Sequence, residues 1–568
     1  MAQVTFLPPN SLMRPARIAC SLAALALIGC GERSGDTANN QAGGTMIFGV
    51  AGSEPTPLFP PLTADIVSRI VIDQVYDRLA EIGSDMNTIG DKGFQPRLAR
   101  SWTWSPDSLS ITFSLDPRAK WHDGQPVRAQ DVKYSVALNK DPKTGTQVTA
   151  SIANVDSVSV RDSLTAVAWF HRRTPEQFYD LVYQVPILPE HVTKGIAPDK
   201  LGSSDVIRRP IGSGRFRFAR WEPGMRIELL ADTANYRGRP KLDRFVISFA
   251  ADGGAAITQL LSGQSDFYDN VPADVLPRVD SSDRVRPLKY PGLGYAYMGM
   301  NFRDPKRAPA PHPIFGDRRI RLAMSMAMDR RGMLRNVFDT LGTLGSGPFA
   351  RSVADTTLTL PPFDRARAAA LLDSAGWVAG ADGTRAKNGR PLAFTLVVPT
   401  SSRPRMRYAV LIQEQLKAIG ARVEIESMDI SAFIERTMGG NFDAAMMTTN
   451  PDPSPAGIKQ NWATEGIGKG LQNQVSYSNP RFDALVDSAT KSFDVTKARQ
   501  YYHRAYQTLA DDAPAVWLYD VLTVGGLHKR IHPEGLRADG WWPNLADWWI
   551  PANERIDRDR IGLRPAQP

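Results

Sequence analysis

The 568-residue chain has only two cysteines, and it contains no long apolar run. Two cysteines cannot build the disulfide framework that stabilises small secreted domains. No apolar stretch reaches the ~20 residues that a membrane-spanning helix requires. The net charge is +9, but the basic residues are scattered, so nucleic-acid binding is not favoured. What remains is a chain with 42% hydrophobic residues, which is enough for several sizeable cores.

The N-terminus has the layout of a secretory signal. Arg14 and Arg17 precede an apolar stretch over residues 18–28, too short to span a membrane. This pattern predicts that the chain is exported and that the remainder is soluble. The second cysteine, Cys30, follows the apolar stretch closely.

The motif "LIGC" at this point resembles the lipobox of bacterial lipoproteins, in which cleavage occurs before the cysteine and the thiol carries lipid. The resemblance implies a signal peptide over residues 1–29, a lipidated Cys30, and a flexible polar tether over residues 30–44. The protein would then lie at the extracytoplasmic (periplasmic) face of the membrane, held by lipid alone. The alternative is an ordinary signal peptide with an incidental cysteine.

The two halves of the chain differ in their secondary-structure patterns. The first half is rich in strands and turns, for example "SITFSLD" and the hairpin "RFRFARWEPGMRIELL". The second half alternates strand and helix: "LAFTLVV", then "PRMRYAVLIQEQLKAIG", then "ARVEIES" and "FDAAMMT". Strand, helix and strand in close succession predict a crossover with parallel strands, and hence an open α/β sheet. Four residues are positioned to begin helices: Asp131, Asp317, Asp364 and Ser431.

Two loops follow strands of this predicted sheet, "PTSSRPR" and "TNPDPSP". Ligands of open α/β sheets lie beyond the carboxyl ends of the strands. Arg403 stands between a strand end and a helix start, where a guanidinium and free N–H groups can share one carboxylate. Asp452, flanked by two prolines, can anchor an ammonium group. The alternatives are a solvated loop arginine and an aspartate that only caps a turn or helix.

The sequence gives little indication of a catalytic or metal-binding site. There is no Gly-x-Ser-x-Gly elbow and no phosphate-binding loop. His528 and His532 have an i,i+4 spacing, but the glycines before and the proline after them disfavour a helix, so no metal site is predicted. The tryptophans at 541, 542, 548 and 549 either line a pocket or lock the C-terminal segment into a core, and we favour the core.

Six segments, taken together and in this order, resemble the family 5 extracellular solute-binding proteins, the dipeptide- and oligopeptide-binding components of ABC importers. They are "FQPRLARSWTWSPDSLSITFSLDPRAKWHDGQPVRAQDVKYS", "RRPIGSGRFRF", "SGQSDF", "DRRIRLAMSMAMDR", "FDRARAAALLDSAGW" and "YSNPRFDALVDSA". The resemblance covers nearly everything from Thr45 to about Ile550. It implies an α/β, two-lobed periplasmic-binding-protein-like fold (large type II, cluster C) with an extra subdomain on the N-terminal lobe. The implied boundaries are 45–290 for the N-terminal lobe with an insertion at about 89–207, 291–525 for the C-terminal lobe, and 526–568 for the return of the chain.

The resemblance also implies a function and a ligand site. The chain would capture a di- or oligopeptide by lobe closure and deliver it to the permease subunits of an ABC transporter, as a monomer without a cofactor. The family position that holds the ligand's α-amino group can be located in two ways. Counting forward from "FD" without gaps places it at Asp452. Counting back from the Asp-Pro pair places it at Thr449. Arg403 resembles the arginine that meets a dipeptide carboxylate, and Asn450 and Glu54 are further ligand-binding candidates. The alternatives are a sugar, an opine or a nickel chelate as ligand and, in another class, a lipid-anchored hydrolase.

Overall fold

The computed structural model describes residues 42–559 with a few short gaps. The gaps are residues 53, 56, 64, 147, 340, 349–359 and 469–470. The predicted signal peptide, Cys30, and all but the last three residues of the predicted tether lie outside the described residues. None of the helices in the described range combines the length and the hydropathy that crossing a membrane requires.

The first part of the chain supplies one long strand, one helix and an inserted subdomain. Its elements are Thr45–Ala51 (β1), Ile66–Val75 (α1), Ala80–Glu81 (β2), Gln95–Pro96 (β3), Ala99–Trp104 (β4), Ser110–Leu115 (β5), Ala129–Lys140 (α2), Val155–Asp162 (β6), Thr165–Phe170 (β7), Gln177–Gln184 (α3) and Glu190–Thr193 (α4). Strands β4 to β7 form a four-stranded sheet in the order β4-β5-β7-β6, separate from the main sheet. Phe113 and Phe178 lie in the buried core between this sheet and α3.

The middle part completes the N-terminal lobe and enters the C-terminal lobe. Its elements are Phe216–Glu222 (β8), Arg226–Ala231 (β9), Arg244–Ala250 (β10), Gly253–Ser262 (α5), Phe267–Tyr268 (β11), Leu276–Asp280 (α6) and Val285–Met300 (β12). Strand β1 pairs in parallel with β10 and β11, and β9 pairs antiparallel with β8 and β10. The predicted hairpin in this region is therefore confirmed as β8 and β9.

The last part alternates helices and strands. Its elements are Arg318–Ala327 (α7), Arg330–Phe338 (α8), Thr343–Leu344 (β13), Arg365–Ser374 (α9), Val378–Ala379 (β14), Arg385–Lys387 (β15), Arg390–Pro391 (β16), Ala393–Pro399 (β17), Arg403–Lys417 (α10), Arg422–Met428 (β18), Ile430–Met438 (α11), Ala444–Thr449 (β19), Ile458–Trp462 (α12), Pro480–Thr490 (α13), Val495–Asp512 (α14) and Ala515–His528 (β20). Short 3-10 helices lie at Pro60–Leu62, Pro142–Thr144, Pro198–Ser203, Asp205–Ile207, Pro455–Gly457, Thr464–Gly466, Leu545–Asp547, Ala552–Glu554 and Asp557–Asp559.

A sheet of 11 strands runs through both lobes, in the order β18-β17-β19-β12-β20-β11-β1-β10-β9-β8, with β13 beside β20. Strands β12 and β20 pair with each other over most of their length, from Val285 opposite His528 to Gly299 opposite Ala515. On their outer edges β12 pairs with β19 and β20 pairs with β11. These two strands therefore connect the lobes of a two-lobed α/β fold. The pairing shifts register near Tyr295, as at a β-bulge, where strands commonly bend.

Three of the four tryptophans near the C-terminus, Trp541, Trp542 and Trp548, lie in the core of the N-terminal lobe, as predicted, whereas Trp549 is half-buried and stacks on His532. Trp541 and Trp548 are fully buried, and the Trp541 ring centre is 4.8 Å from those of Phe48 and Phe267. Fully burying a large apolar side chain contributes about 1.5–3 kcal/mol. These contacts hold the last segment of the chain against β1 and β11.

The C-terminal lobe has a hydrophobic core on each face of its sheet. Along β17, Leu396 and Val398 belong to the core that contains Tyr408 of α10. Val397, which points the other way, belongs to the core that contains Phe433 of α11. Helices α10 and α11 therefore pack on opposite faces of the sheet. The predicted crossover is confirmed, because β17 and β18 pair in parallel with α10 between them.

Two predicted helix starts are confirmed and two are wrong. Asp317 and Asp364 both accept backbone N–H groups at the first turns of α7 and α9. Asp131 does not begin α2: it lies inside the first turn, and its carboxylate accepts the N–H of Arg128 at 2.8 Å. Ser431 does not cap α11 either, because Asp429 lies two residues earlier and accepts the N–H of Ser431 itself. A carboxylate at the N-cap neutralises the partial positive charge of the helix start, which a serine hydroxyl cannot do.

Candidate functional site

The two loops predicted from the sequence leave the same edge of the C-terminal sheet. Strands β17 and β19 are parallel neighbours, with Leu396 opposite Ala444. Strand β17 leads into α10, which begins at Arg403, and β19 ends at Thr449. The carboxyl ends of parallel strands meet at one edge, so both loops border the same region.

Asp452 faces the N-terminal lobe. Its side chain is exposed, while the backbone is held by a half-buried Pro451 and a buried Pro453. The pKa of Arg69, on α1, is raised mainly by Tyr183, and the carboxylates of Asp73 and Asp452 add to this effect. The predicted ammonium anchor is therefore within electrostatic range of a cation of the other lobe.

Arg403 also faces an opposite charge, but it is not buried. Its Nη1 lies 3.6 Å from Oδ2 of Asp274, which follows β11 in the N-terminal lobe. The two side chains are 83% and 64% exposed, so this pair contributes about 0–1 kcal/mol. Asp452 and Arg403 are thus alike in one respect: each follows a strand of the C-terminal sheet and interacts electrostatically with an opposite charge of the N-terminal lobe.

Thr449, the alternative anchor, is the last residue of a strand. It is half-buried at the end of β19, directly opposite Tyr295 of β12. Asn450, the next residue, is exposed and lies at the mouth of the same loop.

An aromatic cluster lies beneath this loop, although the sequence lacks a tryptophan directly before the anchor position. Tyr297 and Trp517 are 5.5 Å apart between ring centres, and Trp462 is 5.1 Å from Trp517. The Nε1 of Trp462 donates to the hydroxyl of Tyr295 at 3.3 Å. Tyr295 lines a small pocket together with Pro348, Pro451, Ser454, Pro455, Gly457, Ile458 and Asn461. The cluster gives the candidate site a rigid apolar floor.

Glu54 lies after the carboxyl end of β1, in the N-terminal lobe. Its carboxylate accepts the backbone N–H of Gly224, in the turn of the hairpin formed by β8 and β9. Glu54 is half-buried, so part of its carboxylate still reaches solvent. Its observed contact is structural, and the structure gives it no contact with Asp452 or Arg403.

Glu176 connects the inserted subdomain with the Asp452 loop. One carboxylate oxygen accepts the hydroxyl of Thr88, and the other accepts the hydroxyl of Ser454 at 2.7 Å. Burial raises the pKa of Glu176, and the two hydrogen bonds only partly oppose this effect. A second contact between these parts is made by the guanidinium of Arg173, 4.1 Å from the ring centre of Phe493. The subdomain thus closes over the C-terminal lobe beside the candidate site.

A charged pocket holds Arg69 in its position. Its lining consists of Arg69, Asp73, Arg78, Glu81, Tyr183, Arg537, Asp539, Trp542 and Pro543. Arg78 pairs with Asp73 at 2.9 Å. The Tyr183 hydroxyl accepts from Arg69 at 2.9 Å and donates to Asp539 at 3.2 Å. These contacts fix the guanidinium of Arg69 at the side of the cleft that faces Asp452.

The sequence analysis missed Arg69, Tyr295 and Glu176, which lie at least 150 residues from Asp452 along the chain. One usable signal existed. Arg69 interrupts the apolar helix pattern "IVSRIVIDQV" together with Asp73, four positions later, and paired charges in an otherwise apolar helix are unusual. Within the described residues no group of three or more His, Cys, Asp or Glu could hold a metal ion.

Comparison with known proteins agrees with the fold. The chain is 28% identical to the oligopeptide-binding protein AppA of Bacillus subtilis over 529 residues, covering 90% of this chain and 92% of that protein. The structure of that AppA in complex with a nonapeptide superposes with a TM-score of 0.72 at 24% identity, covering 90% and 99% of the two chains. NikZ of Campylobacter jejuni, in complex with Ni(L-His), gives a TM-score of 0.73 at 20% identity and covers 89% and 99%.

The sequence also matches the sequence model of one protein family. The match extends over residues 93–470, from the inserted subdomain through the Asp452 loop. This match covers about two thirds of the chain. It includes the loops that carry Arg403 and Asp452, but not α1, which carries Arg69. The chain belongs to the bacterial extracellular solute-binding proteins, family 5.

Proposed function

We propose that this protein captures di- or oligopeptides outside the cytoplasmic membrane by lobe closure and delivers them to the permease of an ABC transporter. Membership of family 5 supports a solute-binding role. The relative with which it shares 28% identity over most of both chains is an oligopeptide-binding protein. In this proposal the chain makes and breaks no covalent bond of its ligand.

The observation that carries the proposal is the pair of opposite charges on the two sides of the cleft. Asp452 lies within electrostatic range of Arg69, and Nη1 of Arg403 lies 3.6 Å from Oδ2 of Asp274. A zwitterionic peptide presents an ammonium group and a carboxylate, which can take the places of Arg69 and Asp274 opposite the two C-terminal-lobe residues. An uncharged sugar offers neither replacement, so this arrangement favours a ligand with both charges.

Lobe closure strengthens these interactions. The contacts of Glu176 with Ser454 and of Arg173 with Phe493 show how the subdomain and the C-terminal lobe meet beside the site. Closure around a ligand removes water, and charge pairs are stronger in the lower dielectric that results. Ordered water between the ligand and the walls lets side chains of different sizes fit.

The remaining parts of the proposal concern attachment and organisation. Lipidation at Cys30 and the tether over residues 30–44 would hold a monomer at the extracytoplasmic face of the membrane. The boundaries 45–290, 291–525 and 526–568, with the insertion at about 89–207, assign both ends of the chain to the N-terminal lobe. Loop residues Asn450 and Thr449 would contact the ligand beside Asp452, and Glu54 from the other lobe.

Identification of the bound ligand tests the proposal. The protein is purified without denaturation, its ligand is released with acid and analysed by mass spectrometry, and the peptide found is titrated back by calorimetry. We expect peptides with free termini and saturable binding. Recovery of an opine, a sugar or a nickel chelate, with no peptide binding, would replace the peptide assignment with the corresponding solute.

A further inference from the structure

Two loops of the inserted subdomain meet beside the candidate site. Together they form the subdomain tip, which comprises residues 87–90 and 173–176. The N–H of Gly90 donates to the carbonyl oxygen of Pro175 at 2.8 Å, and the hydroxyl of Thr88 donates to the carboxylate of Glu176. Because these bonds join the two loops, the tip moves as one unit.

Ile89 of the subdomain tip packs into the C-terminal lobe. Its side chain is 9% exposed and belongs to the apolar core that contains Trp462, Tyr502 and Trp517. Every other buried member of this core in the described part of the chain lies between residues 295 and 517, so Ile89 enters the core from the other side of the cleft. Burying an isoleucine favours a contact by about ten- to a hundredfold, so this residue alone can stabilise the closed arrangement.

Two further contacts accompany the packing of Ile89. The hydroxyl of Ser454 donates to Glu176 at 2.7 Å and accepts the N–H of Ala456 at 3.1 Å, so its orientation is fixed. The guanidinium of Arg173 lies 4.1 Å from the ring centre of Phe493. The tip therefore contacts the C-terminal lobe through an apolar side chain, a hydrogen bond and a cation–π contact.

Helix α3 of the subdomain is bound to the N-terminal lobe. The hydroxyl of Tyr183, near the end of α3, donates to Asp539 at 3.2 Å. Arg78 donates to the carbonyl oxygen of Tyr183 at 2.7 Å and pairs with Asp73 of α1 at 2.9 Å. The side chains of this pair are 11% and 10% exposed, and buried ion pairs are costly to break. The subdomain therefore moves with the N-terminal lobe, and opening of the lobes separates its tip from the C-terminal lobe.

We infer that the subdomain tip is a latch that holds the lobes together once they close, with Ile89 as its apolar contact and Glu176 as its hydrogen-bonding contact; this inference rests on the lobe closure proposed above. Ser454, the partner of Glu176, is two residues after Asp452, so the latch also fixes the loop that carries the predicted ammonium anchor. The closed form is then stabilised by the latch as well as by the ligand, and release of the ligand requires both sets of contacts to break.

The first experiment measures the latch without a peptide. Both cysteines of the full chain are replaced by serine, and spin labels are attached at Lys200→Cys and Lys491→Cys, one position in each lobe. The two lysine side chains are 71% and 77% exposed, so labelling should not disturb the fold. Pulsed electron paramagnetic resonance then gives the distances between the labels in the ligand-stripped protein, and the shorter distance reports the closed form.

We expect Ile89→Ala to lower the ratio of closed to open protein at least about tenfold, because it removes most of the buried side chain. Ile89→Val should have a smaller effect, and Glu176→Ala should act in the same direction as Ile89→Ala. The matched control is Ile556→Ala in the return segment, where the isoleucine is 43% exposed, and it should leave the ratio unchanged. Melting temperatures verify that each variant is folded. Equal ratios in the wild type, Ile89→Ala and Glu176→Ala overturn the latch.

The second experiment tests whether the latch retains the ligand. A fluorescent form of the peptide recovered from the protein is displaced by an excess of unlabelled peptide in a stopped-flow instrument. Ile89→Ala should release it about tenfold faster and bind it at the wild-type rate, because Ile89 contacts the C-terminal lobe only after closure. An unchanged release rate overturns the retaining role of the latch. A wild type that binds no peptide refutes the proposed function instead, whereas the label distances still decide whether the latch exists.

Discussion

Replacing Arg530 with methionine should destabilise the N-terminal lobe by several kcal/mol. Arg530 is 3% exposed, and its Nη1 lies 2.6 Å from Asp559 while its Nη2 lies 3.0 Å from Asp266. Its Nη2 also donates to the carbonyl oxygen of Thr45 at 2.9 Å. Removing the cation leaves Asp559 buried without it, whereas Asp266 keeps its contact with Arg558. Breaking a buried pair from one side costs about 3–5 kcal/mol, and the retained contact places our expectation at the lower end.

Chemical denaturation measures this cost with four variants: Arg530→Met, Asp559→Asn, the double variant and an exposed control. The exposed control is Arg319→Met, since Arg319 pairs with Asp317 at 45% and 31% exposure and should contribute about 0–1 kcal/mol. The double variant Arg530→Met/Asp559→Asn removes both charges, so its loss should be smaller than the sum of the single losses. A loss below about 1 kcal/mol for Arg530→Met would refute the reasoning, because it would mean that the carboxylates do not depend on this cation.

Three further predictions concern attachment and binding. Cys30→Ser should release the protein from membranes in high salt; continued sedimentation with membranes would exclude the lipid anchor. Because burial raises the pKa of Glu176, the closed form binds the proton more tightly, so peptide affinity should fall as pH rises above the ordinary glutamate pKa of about 4.3. Glu176→Gln should remove this dependence and Ser454→Ala should not; a Glu176→Gln variant with the wild-type pH profile would contradict the prediction. Asp452→Asn should weaken peptide binding at least about tenfold, and a larger effect of Thr449→Val would move the ammonium anchor to that residue.

The sequence predicted β17, α10, β18 and β19 of the C-terminal lobe because their signals are local. The apolar pattern of β17, the glycine after α10 and the alternation of β18 each specify one element. Asp429 shows the limit of such signals, since a cap and its neighbour two residues later are hard to distinguish when both are good N-cap residues. Boundaries therefore shifted by one to three positions, while the parallel crossover of β17 and β18 stayed as predicted.

The candidate site was harder to predict because its chemistry depends on orientation and on distant contacts. The motif "SRPR" contains two arginines, and the sequence analysis chose Arg403. Which of the two packs against the sheet is decided by the phase of α10: Arg403 is 83% exposed, whereas Arg405 is half-buried with its Nη1 3.4 Å from the carbonyl oxygen of Met446. Arg69 and Glu176 reach the Asp452 loop only through the packing of the N-terminal lobe and its subdomain. A single sequence carries no sign of that packing.

The central claim is that a peptide is captured by closure of two lobes joined through β12 and β20. Small-angle X-ray scattering of the ligand-stripped protein, with and without a saturating amount of the peptide recovered from it, tests this claim most directly. We predict a smaller radius of gyration with peptide and an unchanged molecular mass, as expected for a closing monomer. A radius of gyration that stays the same at saturation would contradict closure of a cleft on its ligand.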